Sequence, residues 1–421
     1  MKIWSATFGC KVNQYETELL RQRMSNGGNQ FVPSPIDADL CLINSCSVTA
    51  FADKECRQMI RMVLRSNPHA RVIVTGCYAT RSPQELKTIS DRVEVYSNAE
   101  KDSLPSCLGF EISDQPLGIH QFSGRTRAFL KIQDGCQAPC RYCIIPTVRS
   151  TLWSKPVRDV TAEFQALLAN GYQEIVLTGI RLGLYRGNGQ EKVDLVGLLR
   201  LLVALPGTFR IRLSSLEVTE VSAALVSFVK DNPKICRHFH IPLQSGDDQV
   251  LRSMGRWYGS AAYRKRVDLI KGALPDAGIT ADVMVGYPTE TDDLFENTYR
   301  FIDEIDLSGL HVFRFSARAG TKAASLEPLD PRVVSRRAAR LGALDQALKS
   351  RFYQRFQGTL REAILEPTGE GWTDNYIRIQ APEGMTKTGL ALVPVWSASE
   401  ERGEGALKPH RMKSTQSTAA E

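Results

Sequence analysis

The sequence contains no long hydrophobic run. No apolar stretch approaches the roughly 20 residues needed to span a bilayer, and the opening residues MKIWSATFGC lack the apolar core of a signal peptide. An excess of one charge is also missing, because a net charge of +7 is small for 421 residues. Such a charge permits an RNA partner without requiring one. These absences predict a cytoplasmic protein with no membrane partner.

Ten cysteines stand out in an otherwise ordinary composition. The chain is 43% hydrophobic and 24% charged, as in globular proteins, and its length predicts two or three domains. No long-range internal repeat is present. Because cytoplasmic thiols are kept reduced, clustered cysteines are expected to bind metal rather than to form disulfides.

The first 110 residues alternate between predicted strands and helices. The strands lie at 2–8, 40–43 and 72–75. The helices lie at about 13–28, 50–65 and from Ser82-Pro83 onward. Asn13 with Glu16 is interpreted as a capping box that begins the first helix. The alternation predicts a doubly wound parallel sheet in an N-terminal domain at 1–110.

A second strand–helix series follows a predicted linker at 111–125. Its strands are predicted at 127–132, 174–178, 210–213, 237–241, 279–285 and 309–313. Its helices are predicted at 159–170, 194–205, 219–230, 260–274 and 291–304. Six such units predict a partial (β/α)6 barrel in a domain at 125–357, with functional residues in the loops at the carboxyl ends of the strands.

The last part of the chain has a different pattern. A helix from Pro331 to about Gln357 carries seven Arg or Lys residues and one acid, so it either guides an RNA backbone or forms a solvated cover. Short strands separated by Gly-rich turns predict a small β-barrel at 358–408. In it, Trp372 and Tyr376 either stack on bases or fill the core. Residues 409–421 are predicted to be a disordered tail.

The spacing Cys136-x-x-x-Cys140-x-x-Cys143 is the sharpest signal in the sequence. Three thiolates on one loop after a strand can hold three irons of a [4Fe–4S] cluster and leave the fourth iron open to a ligand. A zinc site needs a fourth ligand, and no His or further Cys lies nearby in sequence. The alternative is a chance cluster or an incomplete zinc knuckle.

Cys10, Cys46 and Cys77 each follow a predicted strand of the N-terminal domain. The carboxyl ends of strands in a doubly wound sheet converge on one crevice, so three thiols there could hold a second cluster with an open iron. Each cysteine alone would be ordinary core packing, which is the alternative. The four cysteines without such a placement are predicted to be structural: Cys41, Cys56, Cys107 and Cys236.

Nine ordered segments resemble the methylthiotransferases of the radical SAM (S-adenosylmethionine) superfamily. They are GCKVNQYETE at 9–18, NSCSVT at 44–49, VTGCYA at 74–79, IQDGCQAPCRYCIIPTVRS at 132–150, LTG at 177–179, RLSSLE at 212–217, HIPLQSG at 240–246, MGR at 254–256 and DVMVGYPTET at 282–291. The resemblance covers essentially residues 1–396. Thr289 and Ser97 depart from glycines that are usual in the family, and neither change removes a ligand.

The resemblance implies an N-terminal cluster domain, a radical SAM partial barrel and a C-terminal RNA-binding TRAM barrel. It also implies SAM and two [4Fe–4S] clusters, a SAM-binding cluster on Cys136, Cys140 and Cys143 and an auxiliary cluster on Cys10, Cys46 and Cys77. Such enzymes use SAM as methyl donor and as radical source. The family positions matched by this chain place further cofactor contacts at Tyr142, Thr178, Gly179, Ser214, Glu217, Gln244 and Arg256.

Within the family, the motif CKVNQYE is similar to that of the enzymes acting on threonylcarbamoyladenosine in tRNA. The segment Trp372-Thr373-Asp374-Asn375-Tyr376 also resembles that group. The implied reaction is 2-methylthiolation of this nucleoside next to the anticodon. The implied partners are tRNA, a flavodoxin- or ferredoxin-like electron donor and a sulphur source. The alternatives are methylthiolation of isopentenyladenosine or of a ribosomal protein, and a non-catalytic iron–sulphur redox or RNA-binding protein.

Overall fold

The computed structural model describes residues 1–25, 28–110, 118–122, 124–187, 193–382, 385 and 388–395. The predicted tail at 409–421 lies outside these residues, as do Trp396 and most of the predicted linker. Two compact units are present, Met1–Ile119 with Ile144–Ser150, and His120–Cys143 with Thr151–Ala398. Among the described residues, no helix is both long enough and apolar enough to cross a membrane.

The first unit contains one five-stranded sheet in which every strand pair is parallel. Its strands, in spatial order, are Gln30–Phe31, Lys2–Thr7, Leu40–Ser45, Arg71–Gly76 and Val93–Val95. Its helices are Lys11–Met24, Ala50–Ser66, Cys77–Arg81, Pro83–Lys87, Leu104–Cys107 and Ile145–Val148. The two faces of the sheet are covered by separate apolar clusters. The doubly wound arrangement predicted from the strand–helix alternation is therefore confirmed.

The predicted capping box at the first helix is wrong. The helix begins at Lys11 with Cys10 as its N-cap, so Asn13 lies inside the first turn. The Asn13 amide donates to the carbonyl oxygens of Phe8 (2.8 Å) and Ser45 (3.0 Å). Glu16 is buried in an ion pair with Lys101. Both side chains serve tertiary contacts, and such contacts override a local capping pattern.

Six strands of the second unit pair with one another in parallel. They are Arg127–Lys131, Glu174–Thr178, Arg210–Leu213, His238–His240, Gly278–Val285 and Gly309–Arg314. They form two parallel three-stranded sheets, joined by parallel bridges between Ile211 and Ile235 and between Ser215 and His240. This confirms the predicted partial barrel.

Seven helices accompany these strands in the second unit, within the described residues. They are Val157–Ala169, Leu195–Val203, Ala223–Asp231, Asp248–Ser253, Ser260–Ala273, Asp292–Ile305 and Pro331–Gln354. The helix predicted to start at residue 219 starts later, because Val218–Glu220 forms a 3-10 turn. The helix Asp248–Ser253 was not predicted, since six residues are too few to show a helical period.

The basic helix Pro331–Gln354 pairs with the acidic helix before it. Arg337 is buried and contacts Glu290 at 2.6 Å and Asp292 at 2.7 Å. Arg340 pairs with Glu296, and Arg351 pairs with Asp303. Much of the positive charge is thus neutralised inside the unit, which favours the interpretation of this helix as a cover of the barrel.

The C-terminal strands form an antiparallel four-stranded sheet within the second unit. In spatial order they are Arg378–Gln380, Glu370–Thr373, Leu360–Leu365 and Gly389–Pro394. The small C-terminal β domain is confirmed. Its two outer strands do not pair with each other within the described part of the chain, so the sheet is not closed into the predicted barrel. Trp372 stacks on Tyr376 at 4.5 Å between ring centroids, and Tyr376 stacks on His238 at 4.1 Å. Both aromatic rings are used in packing.

Candidate active site

Three cysteines of the first unit lie at one edge of its sheet. Cys10 caps the helix after the first strand, Cys46 directly follows Leu40–Ser45, and Cys77 directly follows Arg71–Gly76. Because these three strands are adjacent and parallel, their carboxyl ends bring the cysteines together. The local chain path is tight, since Gly9 has a φ of +94° and a Cβ there would lie 2.7 Å from the Cys46 sulfur.

The three thiols lie close enough to influence one another's ionisation. Burial above all, together with the neighbouring Cys10 and Cys77, raises the pKa of Cys46 to about 12. Three thiolates in this crevice would repel each other unless a cation lay between them. The thiolate sulfurs of three cysteines are the donor set of an iron–sulphur cluster, so the residues fit one.

A buried network of charges supports this edge of the sheet. Both terminal nitrogens of Arg149 donate to the Glu16 carboxylate at 2.8 Å, and one of them also donates to Asn13 at 2.8 Å. Lys101 binds the same carboxylate at 2.6 Å. Lys101 and Arg149 together carry one more charge than Glu16 neutralises. The resulting net positive charge suits a group with anionic sulfur ligands. Sequence reasoning missed Lys101 and Arg149 as partners because both are distant from Glu16 along the chain.

The second set of cysteines lies on one loop of the second unit. Gly135, with a φ of +80°, begins the loop, and a Cβ there would lie 2.0 Å from the Thr151 carbonyl oxygen. The buried Gln133 side chain donates to the Gly135 carbonyl at 2.9 Å and accepts from the Arg181 amide at 2.7 Å. Gln133 therefore fixes the loop that carries Cys136, a role that no sequence pattern indicated.

The side chain of Arg256 contacts this loop. Its guanidinium donates to the Cys140 sulfur at 3.2 Å and also contacts Glu217 and Tyr258. Burial raises the pKa of the Cys140 thiol, whereas the charge and hydrogen bond of Arg256 act in the opposite direction. Arg256 thus favours the thiolate, the form of cysteine that binds metal.

Two predicted cofactor contacts carry buried polar atoms that have no partner. The Ser214 hydroxyl and the Gln244 side-chain carbonyl are both enclosed, and neither makes a hydrogen bond within the described part of the chain. Gln244 also has a φ of +68°, which is strained for a residue other than glycine. Unpaired buried polar atoms cost free energy, so their presence indicates a place for a polar ligand.

The remaining predicted contacts occupy the same carboxyl ends of the barrel strands. Thr178 ends its strand and is buried, and Gly179 packs so tightly that a Cβ would lie 2.9 Å from Gln133. Tyr142 packs edge-on against Tyr287, with 6.5 Å between ring centroids. The structure therefore gathers these residues with the cysteine loop in one unit, and the donor set fits a cluster with a SAM-like ligand.

Family comparisons match both units. A model of the uncharacterized protein family UPF0004 matches residues 2–97, and one of the radical SAM superfamily matches residues 130–302. The threonylcarbamoyladenosine tRNA methylthiotransferase MtaB of Bacillus subtilis is 37% identical over 400 residues, or 89% of this chain and 88% of that protein. The protein of the same name from Thermotoga maritima is 36% identical over 376 residues, which are 86% of this chain and 85% of that protein.

A solved structure shows the same fold at low sequence identity. The radical S-adenosylmethionine methyltransferase TsrM from Kitasatospora setae, with cobalamin and a [4Fe-4S] cluster bound, has a TM-score of 0.55 to this chain. The match covers 77% of both chains at 13% identity, so the likeness is one of fold alone.

Proposed function

The chain belongs to the threonylcarbamoyladenosine tRNA methylthiotransferases, and from that membership we propose that it attaches a methylthio group to C2 of N6-threonylcarbamoyladenosine (t6A) next to the anticodon of tRNA. The observation that carries the proposal is 37% identity to a relative of this name over 88% of its length. Two cysteine triads in two compact units support the same conclusion, because this reaction needs both a radical source and a sulphur donor.

The cysteines divide between the two cofactors. Cys136, Cys140 and Cys143 would hold a [4Fe–4S] cluster whose fourth iron binds SAM, and Cys10, Cys46 and Cys77 would hold an auxiliary cluster. When bound, these groups supply one-electron cleavage of SAM, abstraction of an unactivated hydrogen, and the sulphur and methyl group of the product. The hydrogen on adenine C2 is of this kind, since no side-chain base is strong enough to remove it as a proton.

The side chains around the SAM-binding loop orient and hold the ligand. Ser214 and Gln244 would pair their free polar atoms with the polar groups of SAM. Arg256 stabilises the Cys140 thiolate and holds Glu217 beside it. Gln133 keeps the loop in place before any ligand binds. The site is thus organised in advance, so little binding energy is lost to ordering.

The partners follow from the chemistry of the reaction. tRNA is the substrate, a flavodoxin- or ferredoxin-like protein would deliver the electron, and a separate sulphur source would restore the auxiliary sulphur after each turnover. We place the reaction in the cytoplasm, where tRNA is found and thiols stay reduced.

Ser214→Ala is expected to separate ligand binding from folding. Because the Ser214 hydroxyl is buried without a partner, its removal should leave thermal stability of the SAM-free protein unchanged or slightly higher. SAM affinity should fall about 10-fold, the effect of one hydrogen bond to a charged ligand. Equilibrium binding of SAM to the cluster-loaded protein and a melting curve without SAM measure the two effects. Ser227→Ala, at an exposed serine, is the control and should change neither.

Mass spectrometry of tRNA nucleosides tests the function directly. Cells lacking this protein should lose 2-methylthio-N6-threonylcarbamoyladenosine and accumulate the nucleoside without the methylthio group. Loss of the isopentenyl counterpart instead would keep the chemistry and overturn the substrate. If no tRNA nucleoside changed, methylthiolation of a ribosomal protein or a redox role would replace the proposal.

A further inference from the structure

Three neighbouring strands of the barrel bring two histidines and an aspartate together. In the parallel register, His240 is opposite Thr280, and His311 is opposite Asp282. Thr280 and Asp282 are two residues apart on one strand, so their side chains lie on the same face of the sheet. The register therefore places His240, Asp282 and His311 on one face.

The distances within this group are regular. Nε2 of His240 and Nδ1 of His311 each lie 3.3 Å from the same Asp282 oxygen, Oδ1. The possible ligand atoms of the three residues all lie within 4.8 Å of one another. The two imidazole rings have centroids 5.1 Å apart and are tilted by 32°.

These spacings are long for hydrogen bonds, and they also suit two ligand atoms that share one metal ion. An N–H···O hydrogen bond is usually about 2.9 Å long. Two ligands bound tetrahedrally at the zinc distances of about 2.0–2.1 Å lie about 3.3 Å apart. Both histidine–aspartate distances match this spacing between two ligand atoms of a tetrahedral zinc ion. Rotation of the His311 side chain, which is 56% exposed, can bring the two histidine nitrogens to the same distance from each other.

The surroundings supply the other features of a metal site. The Nδ1 atom of His240 contacts the Thr280 hydroxyl at 2.9 Å, which fixes the ring and leaves Nε2 facing Asp282. Since His311 is exposed, a fourth ligand such as water has access.

We propose that His240, Asp282 and His311 bind one divalent first-row metal ion, with zinc as the best match to their N, N, O ligands. None of its residues belongs to either cysteine triad, and the proposal does not depend on the proposed tRNA reaction. Its residues come from three adjacent strands of the barrel, so the fold itself creates the geometry.

Zinc binding to the cluster-loaded protein tests the proposal. Equilibrium dialysis should give one Zn²⁺ per chain bound at this site. Crystals soaked with Zn²⁺ should show an anomalous peak among the three residues on the high-energy side of the zinc absorption edge, and that peak should vanish below the edge. Data on both sides of the zinc edge distinguish zinc from cluster iron. Absence of the peak, or a peak only at cysteines, would overturn the site.

Variants separate metal binding from folding. Asp282→Asn keeps the shape of the side chain, and His311→Ala changes an exposed residue. Each should weaken Zn²⁺ binding more than about 100-fold, because loss of a metal ligand costs more than loss of a residue that hydrogen-bonds to a ligand. Thr280→Val should weaken it about 10–100-fold. His69→Ala, at an exposed histidine of the first unit, is the control and should have no effect. Equal binding by His311→Ala and the parent protein would refute the assignment, provided that iron content is unchanged.

Discussion

Cys46→Ala is expected to abolish methylthiolation of tRNA while SAM cleavage continues. Cys46 lies in the first unit, among thiols that would hold the auxiliary cluster, and the loop with Cys136, Cys140 and Cys143 belongs to the second unit. Product should fall at least about 1000-fold, because the three ligands act as one unit. The iron content should fall from about eight to about four atoms per chain. Chromatography of 5′-deoxyadenosine and mass spectrometry of the tRNA nucleosides measure the two activities.

A buried cysteine on the strand that precedes Cys46 controls for loss of structure. Cys41 lies in the apolar cluster on one face of the sheet, five residues before Cys46. Cys41→Ala should keep both activities and the full iron content, at some cost in stability. Normal product formation by Cys46→Ala would eliminate the assignment of this triad to the auxiliary cluster.

The placement of the first cysteine triad was predictable from local patterns. Each cysteine follows a short apolar run, and parallel strands send their carboxyl ends to one edge of a sheet. The strand bounds needed only to be right within a few residues, and they were, with Leu40–Ser45 observed where 40–43 was predicted. Sequence order alone therefore indicated that Cys10, Cys46 and Cys77 meet.

The charges that support this triad were not predictable in the same way. Glu16 is paired with Lys101 and Arg149, which are 85 and 133 residues away along the chain. A local reading assigned Glu16 to a capping box, because the pattern Asn-x-x-Glu is typical of one. Which of the two uses applies depends on where distant residues lie in the fold. The same limit hid the contact between Asp282 and His311, which follows from strand register.

The aromatic residues near the C-terminus show a third kind of limit. The sequence left open whether Trp372 and Tyr376 stack on RNA bases or pack inside the protein. The structure stacks them on each other and on His238, while the carbonyl oxygens of Trp372 and Thr373 accept from Arg210 and Arg212. Composition cannot distinguish these uses, since an aromatic face serves either one.

Cys140→Ala is expected to eliminate both SAM cleavage and methylthiolation. Cys140 accepts a hydrogen bond from Arg256, and burial raises the pKa of its thiol. Ionisation of this thiol is therefore unfavourable unless a metal ion binds it. Without this ligand the SAM-binding cluster should be lost, and the iron content should again fall from about eight to about four atoms per chain. SAM cleavage should drop at least about 1000-fold, because reduction and ligand binding depend on the same iron centre.

Cys236→Ala is the matched control within the second unit. Cys236 is buried beside Glu174 rather than in the cysteine loop, so its variant should keep both activities and all the iron. The pair Cys46→Ala and Cys140→Ala then gives an asymmetric result, because cleavage of SAM survives only the first change. If Cys140→Ala still released 5′-deoxyadenosine at the parent rate, the loop at 136–143 could not be the SAM-binding site. If both variants lost cleavage equally, the two triads would be coupled rather than independent, and iron content would show whether one cluster needs the other to assemble.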